Sequence, residues 1–185
     1  MNDGRKLEKH TIIALVEDRP GVLNRIASKW RQRGFNIECL AVGHSEAAGL
    51  SRMTFVVDAN TDAEQVVKQL DKLVDIVDIR DISHEDMVAR ELALIKVRVD
   101  AGNRVHIIEI VDIFRANIID VSPDSVVVEV TGDEGKVDAI FELLKDYGVI
   151  EMVRTGRVAM LRGAAASHPP VEQEHYERYP GQELW

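Results

Sequence analysis

The stretch best suited to chemistry is Val16-Glu17-Asp18-Arg19-Pro20-Gly21-Val22-Leu23, where an apolar run breaks and a helical pattern begins. Pro20 presets the backbone near the helix start. Gly21 has no Cβ, so a ligand can come close to the peptide N–H groups. Those donors, with the helix dipole behind them, suit a carboxylate. Asp18 beside them can hold an ammonium through a charge-assisted hydrogen bond. Asn36 opens the next strand and can offer its amide to the same ligand. The set would hold an α-amino acid by its two charged ends. Asp-Arg-Pro-Gly is also a good plain turn and helix start, and spacing alone leaves both readings open.

No other segment offers comparable chemistry. Cys39 lies among Ile37, Leu40 and Val42 and reads as a small packing residue. Histidines 10, 44, 84, 106, 168 and 175 lack ligand-type spacing apart from a loose pair near the end, so no metal site is expected. Gly132-Asp133-Glu134-Gly135-Lys136 lacks phosphate-loop spacing, and its acids would repel phosphate; a helix start with an acidic first turn fits better. Aspartates 71, 75, 78 and 81 read as a solvated face. No Ser/His/Asp or Cys/His set and no dinucleotide fingerprint can be assembled, so no catalytic residue is expected.

The elements that would position the turn recur twice. His10 to Val16 is a short strand. Val22, Leu23, Ile26, Ala27 and Trp30 then fall at helical spacing, and Gly34 after Lys29, Arg31 and Arg33 suits a helix end. Asn36 to Val42 and Leu50 to Val57 read as a hairpin. Asn60-Thr61-Asp62 offers N-caps for a helix with Val66, Val67, Leu70 and Leu73 on one face. Val74 to Ile82 alternates like an edge strand. The order repeats as a strand at Leu92 to Val99, a helix at Val105 to Phe114 with Ile108 and Val111 in its stripe, strands at Ile118 to Val121 and Val126 to Val130, a helix marked by Val137, Ile140, Phe141 and Leu144, and a strand at Val149 to Val153, with an extension from Val158 to Leu161. Asn36-Ile37 and Asn117-Ile118 open matching strands.

Each unit reads β-α-β-β-α-β, an α+β, ferredoxin-like arrangement with two helices on one face of a four-stranded sheet. The expected divisions are an N-terminal extension over 1–9, a first domain over 10–82, a polar linker over 83–90, a second domain over 91–163 and a flexible tail over 164–185. A sheet covered on one side needs a partner for its open face or edge, which predicts a homodimer. The turn Asp100-Ala101-Gly102-Asn103-Arg104 of the second unit lacks the Pro-Gly step, so no matching ligand site is expected there.

Bulk properties narrow the function classes. The chain has 185 residues, 45% hydrophobic and 30% charged, with a net charge of −9. An acidic chain without a basic block does not favour nucleic acid. One cysteine excludes an intrachain disulfide. No apolar run is long enough to span a membrane, and no signal segment opens the chain, so a cytoplasmic protein is expected.

Asp18-Arg19-Pro20-Gly21-Val22-Leu23 followed by Arg33-Gly34-Phe35-Asn36-Ile37-Glu38 resembles an ACT domain, an amino-acid-sensing module. Leu50-Ser51-Arg52-Met53-Thr54, Gln69-Leu70-Asp71-Lys72-Leu73-Val74 and Arg90-Glu91-Leu92-Ala93-Leu94-Ile95-Lys96-Val97 are more specific. With Ile113-Phe114-Arg115-Ala116, Ile119-Asp120-Val121-Ser122, Arg154-Thr155-Gly156 and Ala159-Met160, they resemble the regulatory small subunit of acetolactate synthase over residues 10 to 163. The resemblance implies a subunit without catalysis or cofactor of its own. It would homodimerise through ACT domains, raise the activity of a catalytic large subunit carrying thiamine diphosphate, Mg and FAD, and confer feedback inhibition by valine or another branched-chain amino acid. In that family the effector lies between two ACT domains. Carried over by motif, the effector site is Asp18, Gly21, Val22, Leu23 and Asn36. The family often has Asn at the position of Asp18, so this chain adds a negative charge there. Two other classes are a ferredoxin-like acylphosphatase, which would need a phosphate loop around Arg19 that the sequence does not supply, and a free-standing amino-acid-binding module serving another enzyme or a transcriptional response.

Overall fold

The computed structural model describes residues 9–58, 62–164 and 168. The proposed caps Asn60 and Thr61, most of the N-terminal extension and most of the tail lie outside the described residues. The chain divides into two compact units, one of residues up to Val88 with those from Ala159 onward, the other of Ala89 to Val158.

The first unit contains β1 (His10–Glu17), α1 (Val22–Gln32), β2 (Ile37–His44), β3 (Leu50–Val57), α2 (Ala63–Leu70) and β4 (Ile76–Asp81). The antiparallel sheet has the order β2-β3-β1-β4. Ile12, Ala14 and Val16 alternate onto one face of β1 and meet Met53, Phe55 and Val57 of β3. Val22, Ile26 and Trp30, spaced by four, bury α1 against that face, and Val66 and Leu70 do so for α2. Trp30 packs on Phe55 at a 46° tilt with ring centroids 4.5 Å apart.

The start of α2 and the end of α1 follow local chemistry. Asp62 accepts a hydrogen bond from the N–H of Gln65 at 2.9 Å and caps α2. After α1, Gly34 takes φ of 70°. The N–H of Phe35 reaches back to the Trp30 carbonyl and that of Gly34 to Arg31, the paired bonds of a glycine-terminated helix.

The second unit repeats the plan with most of β5 (Met87–Arg98), then α3 (Arg104–Ile113), β6 (Asn117–Val121), β7 (Ser125–Gly132), α4 (Glu134–Lys145) and β8 (Val149–Arg154). These strands order as β6-β7-β5-β8. The likeness extends to irregularities: β2 and β6 each slip register near their start, between Ile37 and Cys39 and between Ile118 and Asp120. Ala93, Ile95 and Val97 of β5, Val126, Val128 and Val130 of β7, and Val137, Ile140 and Leu144 of α4 form the core. Asp133 accepts from the Lys136 N–H and caps α4. A short β9 (Val158–Leu161) stands apart from β8.

Several expectations change. Met87 to Arg90, read as the end of a polar linker, already belongs to β5. β4 starts at Ile76, leaving Val74 exposed. In α3 the buried stripe passes through Ile107, Ile110 and Val111, and Ile108 faces outward, because the phase is set by contact with the sheet. The face of β1 away from α1 is covered too: Thr11, Ile13 and Leu15 are buried, Leu15 against Ala47 and Leu50 of the β2–β3 connection.

Candidate functional site

β1 delivers the chain into the turn 18–21 after Glu17, whose N–H is bonded to the Asp75 carbonyl ahead of β4. The Asp18 N–H bonds the Gly49 carbonyl at 2.8 Å, so the β2–β3 connection flanks the turn. α1 starts at Val22, where the helical spacing begins. Gly21 is its N-cap with φ of 89°, a left-handed conformation that a residue with a Cβ adopts only under strain. No side chain caps the helix, as in α3 and unlike α2 and α4. The Val22 N–H turns back to the Arg19 carbonyl at 3.4 Å. The Leu23 and Asn24 N–H groups lie in the first turn of α1, which has no earlier helical carbonyl to meet them.

Of the expected site residues, Asp18, Gly21, Val22 and Leu23 come together at this turn. Asp18 is exposed, its carboxylate 3.1 Å from His44 Nδ1 at the end of β2. Val22 is buried in the core. Leu23 is 45% exposed and offers an apolar contact beside the helix end.

Asn36 is not with them. In the sheet, Glu17 pairs with Leu50 and Ser51 with His44, so the Asp18 turn lies at the His44 end of β2. Asn36 precedes the other end of that strand, about 26 Å away at ~3.3 Å per residue. β3 also intervenes between β1 and β2. Within one chain its amide cannot join Asp18 on a small ligand.

The structure adds two residues that sequence reasoning missed. Asp75, expected on a solvated face, is 1% exposed. Its carboxylate accepts from Arg19 Nε at 3.0 Å and Nη2 at 2.5 Å, and from Arg25 Nε at 2.5 Å and Nη2 at 2.7 Å. Hydrogen bonds from Arg25 and then Arg19 hold the Asp75 carboxyl down at about 2, against the burial that pushes it up. Arg19 also pairs with Glu17 at 2.8 Å. The role of Gly21 changes accordingly. A Cβ there would lie 3.1 Å from Arg25 Nη1, so the space that glycine leaves is taken by a guanidinium. The sequence held one signal for this: Arg25, one helical turn past Gly21, points back toward the helix start, where Arg19 already lies.

The second unit treats its equivalent turn differently. Asp100 Oδ1 accepts from the N–H groups of Gly102 at 2.7 Å and Asn103 at 2.9 Å. Asn103 Oδ1 in turn accepts from the Asp100 N–H. A carboxylate of the chain itself lies ahead of α3.

Elsewhere, Cys39 is half-buried on β2. Among the described residues no group of three or more His, Cys, Asp or Glu is placed to hold a metal. No helix among them is long and apolar enough to cross a membrane.

Comparison with known proteins agrees with this architecture. Residues 12–78 match the AHAS small subunit-like ACT domain, and residues 90–163 match the family described as the small subunit of acetolactate synthase. The chain is 52% identical over 155 residues to the acetolactate synthase small subunit of Mycobacterium bovis, covering 83% of this chain and 92% of that one. It is 53% identical over 156 residues to the probable acetolactate synthase small subunit of Archaeoglobus fulgidus, covering 84% and 98%. The crystal structure of the acetolactate synthase small subunit from Thermotoga maritima superposes with a TM-score of 0.79 at 42% identity, covering 85% of this chain and 99% of that one.

Proposed function

The chain belongs to the acetolactate synthase small-subunit family, and on that premise we propose that it binds and activates a catalytic large subunit and makes it inhibitable by valine or a related branched-chain amino acid. The observation that carries the effector reading is the turn at Gly21. α1 opens without a side-chain cap, with an exposed carboxylate at Asp18 and an exposed apolar side chain at Leu23 beside it. Those three features match the carboxylate, ammonium and branched side chain of such an amino acid. The carbon–carbon chemistry, with thiamine diphosphate, Mg and FAD, belongs to the large subunit. A cytoplasmic location goes with that biosynthetic role.

The separation of Asn36 from Asp18 supports a site completed by a second copy. β2 is an edge strand, and Val42 on it is 50% exposed. An edge strand offers unpaired N–H and C=O groups to another strand. If two copies join antiparallel through β2 about a two-fold axis, Asn36 of one copy falls beside His44, and hence beside Asp18, of the other. The effector would then sit between two ACT domains, and its affinity would be linked to the arrangement of the dimer. Valine inhibits only through tighter binding to the inhibited arrangement of the complex, a coupling of roughly 1–3 kcal/mol in typical cases.

The test is reconstitution. The chain is mixed with the acetolactate synthase large subunit, and acetolactate formation is followed with and without valine. The reading requires faster turnover on mixing and a loss of that gain with valine. An unchanged rate on mixing, with no complex by sedimentation, would refute it.

A further inference from the structure

Arg19 and Arg25 stand on either side of Gly21, and both reach the same buried carboxylate. Asp75 takes two hydrogen bonds from each, while its carbonyl takes the N–H of Glu17. Asp75 therefore straps the end of β1, the turn and the first turn of α1 to the start of β4. Within this strap Arg25 spends Nε and Nη2 on Asp75, and its Nη1 lies 3.1 Å from where a Gly21 Cβ would be. The Arg25 side chain is 45% exposed, while Asp75 is sealed from water. A guanidinium held flat by two bonds to a carboxylate keeps its third nitrogen in a fixed direction, which a lysine cannot imitate.

Resting on the reading of this turn as the effector site, we propose that Arg25 reads the effector's α-carboxylate together with the N–H groups of Leu23 and Asn24, and that Asp75 is the positioning residue that holds it there. The assignment supplies what the turn otherwise lacks. The acidic pair Glu17 and Asp18 would repel a carboxylate, and the helix end alone carries only about half a unit of positive charge. Fixed guanidinium on one side and Asp18 on the other orient a zwitterion across the turn. Asp75 also offsets the charge of the arginines, so a lone anion without an ammonium gains less there than an amino acid does.

The test uses the purified full-length chain and two probes, valine and valinamide, which keeps the ammonium and side chain but replaces the carboxylate by an amide. Calorimetry compares the wild type with Arg25→Gln, Arg25→Lys and Asp75→Asn, and circular dichroism checks that each is folded. Loss of one charge-assisted hydrogen bond predicts valine affinity lower by about tenfold or more in Arg25→Gln, with valinamide affinity nearly unchanged. Arg25→Lys recovers little, because it cannot bridge Asp75 and the ligand together. Asp75→Asn loses valine affinity in the same direction. A merely structural strap would weaken both probes alike, and that result, or unaltered valine affinity in Arg25→Gln or Asp75→Asn, overturns the assignment while leaving the site. Failure of the wild type itself to bind either probe removes the site and the assignment with it.

Discussion

Each of the two βαββαβ units turns from its first strand into its first helix, and the two turns are finished in opposite ways. In the second unit, Asp100 folds its carboxylate onto the N–H groups of Gly102 and Asn103. The turn carries its own anion, although α3 itself opens without a side-chain cap. In the first unit, Asp18 points away toward His44, Gly21 adopts a left-handed conformation, and no side chain caps α1. Its acid, Asp75, comes from a distant connection and is bound to arginines, not to the helix N–H groups. A duplicated frame has thus kept one turn closed and one open. The two helices both open without a side-chain cap, so what differs is the turn ahead of them: one holds its own carboxylate, the other is held in shape by distant charges.

The largest expected effect breaks the open turn. Gly21→Asp imposes a Cβ on a left-handed residue, displaces Arg25 Nη1 and adds a negative charge. In the reconstituted complex, the valine needed for half inhibition should rise about a hundredfold or more, the loss of two charge-assisted bonds, with activation retained. The matched change in the closed turn, Asp100→Ala, should leave valine inhibition as it was and cost roughly 1 kcal/mol in denaturant stability.

Acid separates the turns in a second way. The Asp75 carboxyl is depressed from 3.8 to about 2. Its contribution to stability is full above the unfolded value near 4 and is lost as pH falls through the folded value near 2. A plot of unfolding free energy against pH should carry an extra positive slope between those limits in the wild type, and that slope should vanish in Asp75→Asn. The smallest effect concerns Leu23. Being exposed, Leu23→Ala should change stability by less than about 0.5 kcal/mol while weakening valine binding several-fold by calorimetry. Its buried neighbour sets the contrast: Val22→Ala should cost about 1–3 kcal/mol in stability.

Most of the frame is legible in the residues because its causes are local. Four-residue spacing placed Val22, Ile26 and Trp30 on one helix face, and Gly34, Asp62 and Asp133 mark helix ends by their own backbone geometry or side-chain bonds. The internal repeat followed from the same periodicities. The role of Asp75 is not legible in the sequence because its partners lie 50 and 56 residues away. Beside Asp71, Asp78 and Asp81 it resembles one more surface acid, and only the closure of β4 onto β1 reveals the arginines. Asn36 was misplaced for a related reason. Its neighbour in sequence is a strand, but which end of the sheet that strand starts from depends on the β2-β3-β1 order and antiparallel register. Ile108 shows the limit of periodicity itself: four isoleucines and two valines in α3 admit more than one stripe, and packing selects Ile107 and Val111.

The most direct test of the contrast is to titrate isotopically labelled protein with valine and follow the backbone amides of both turns by nuclear magnetic resonance. The account predicts saturable shifts at Gly21, Leu23, Asn24 and Asn36, and none at Gly102 or Asn103. Shifts centred on Gly102 and Asn103, or silence at Leu23 and Asn24 at valine levels that inhibit the reconstituted complex, would contradict it.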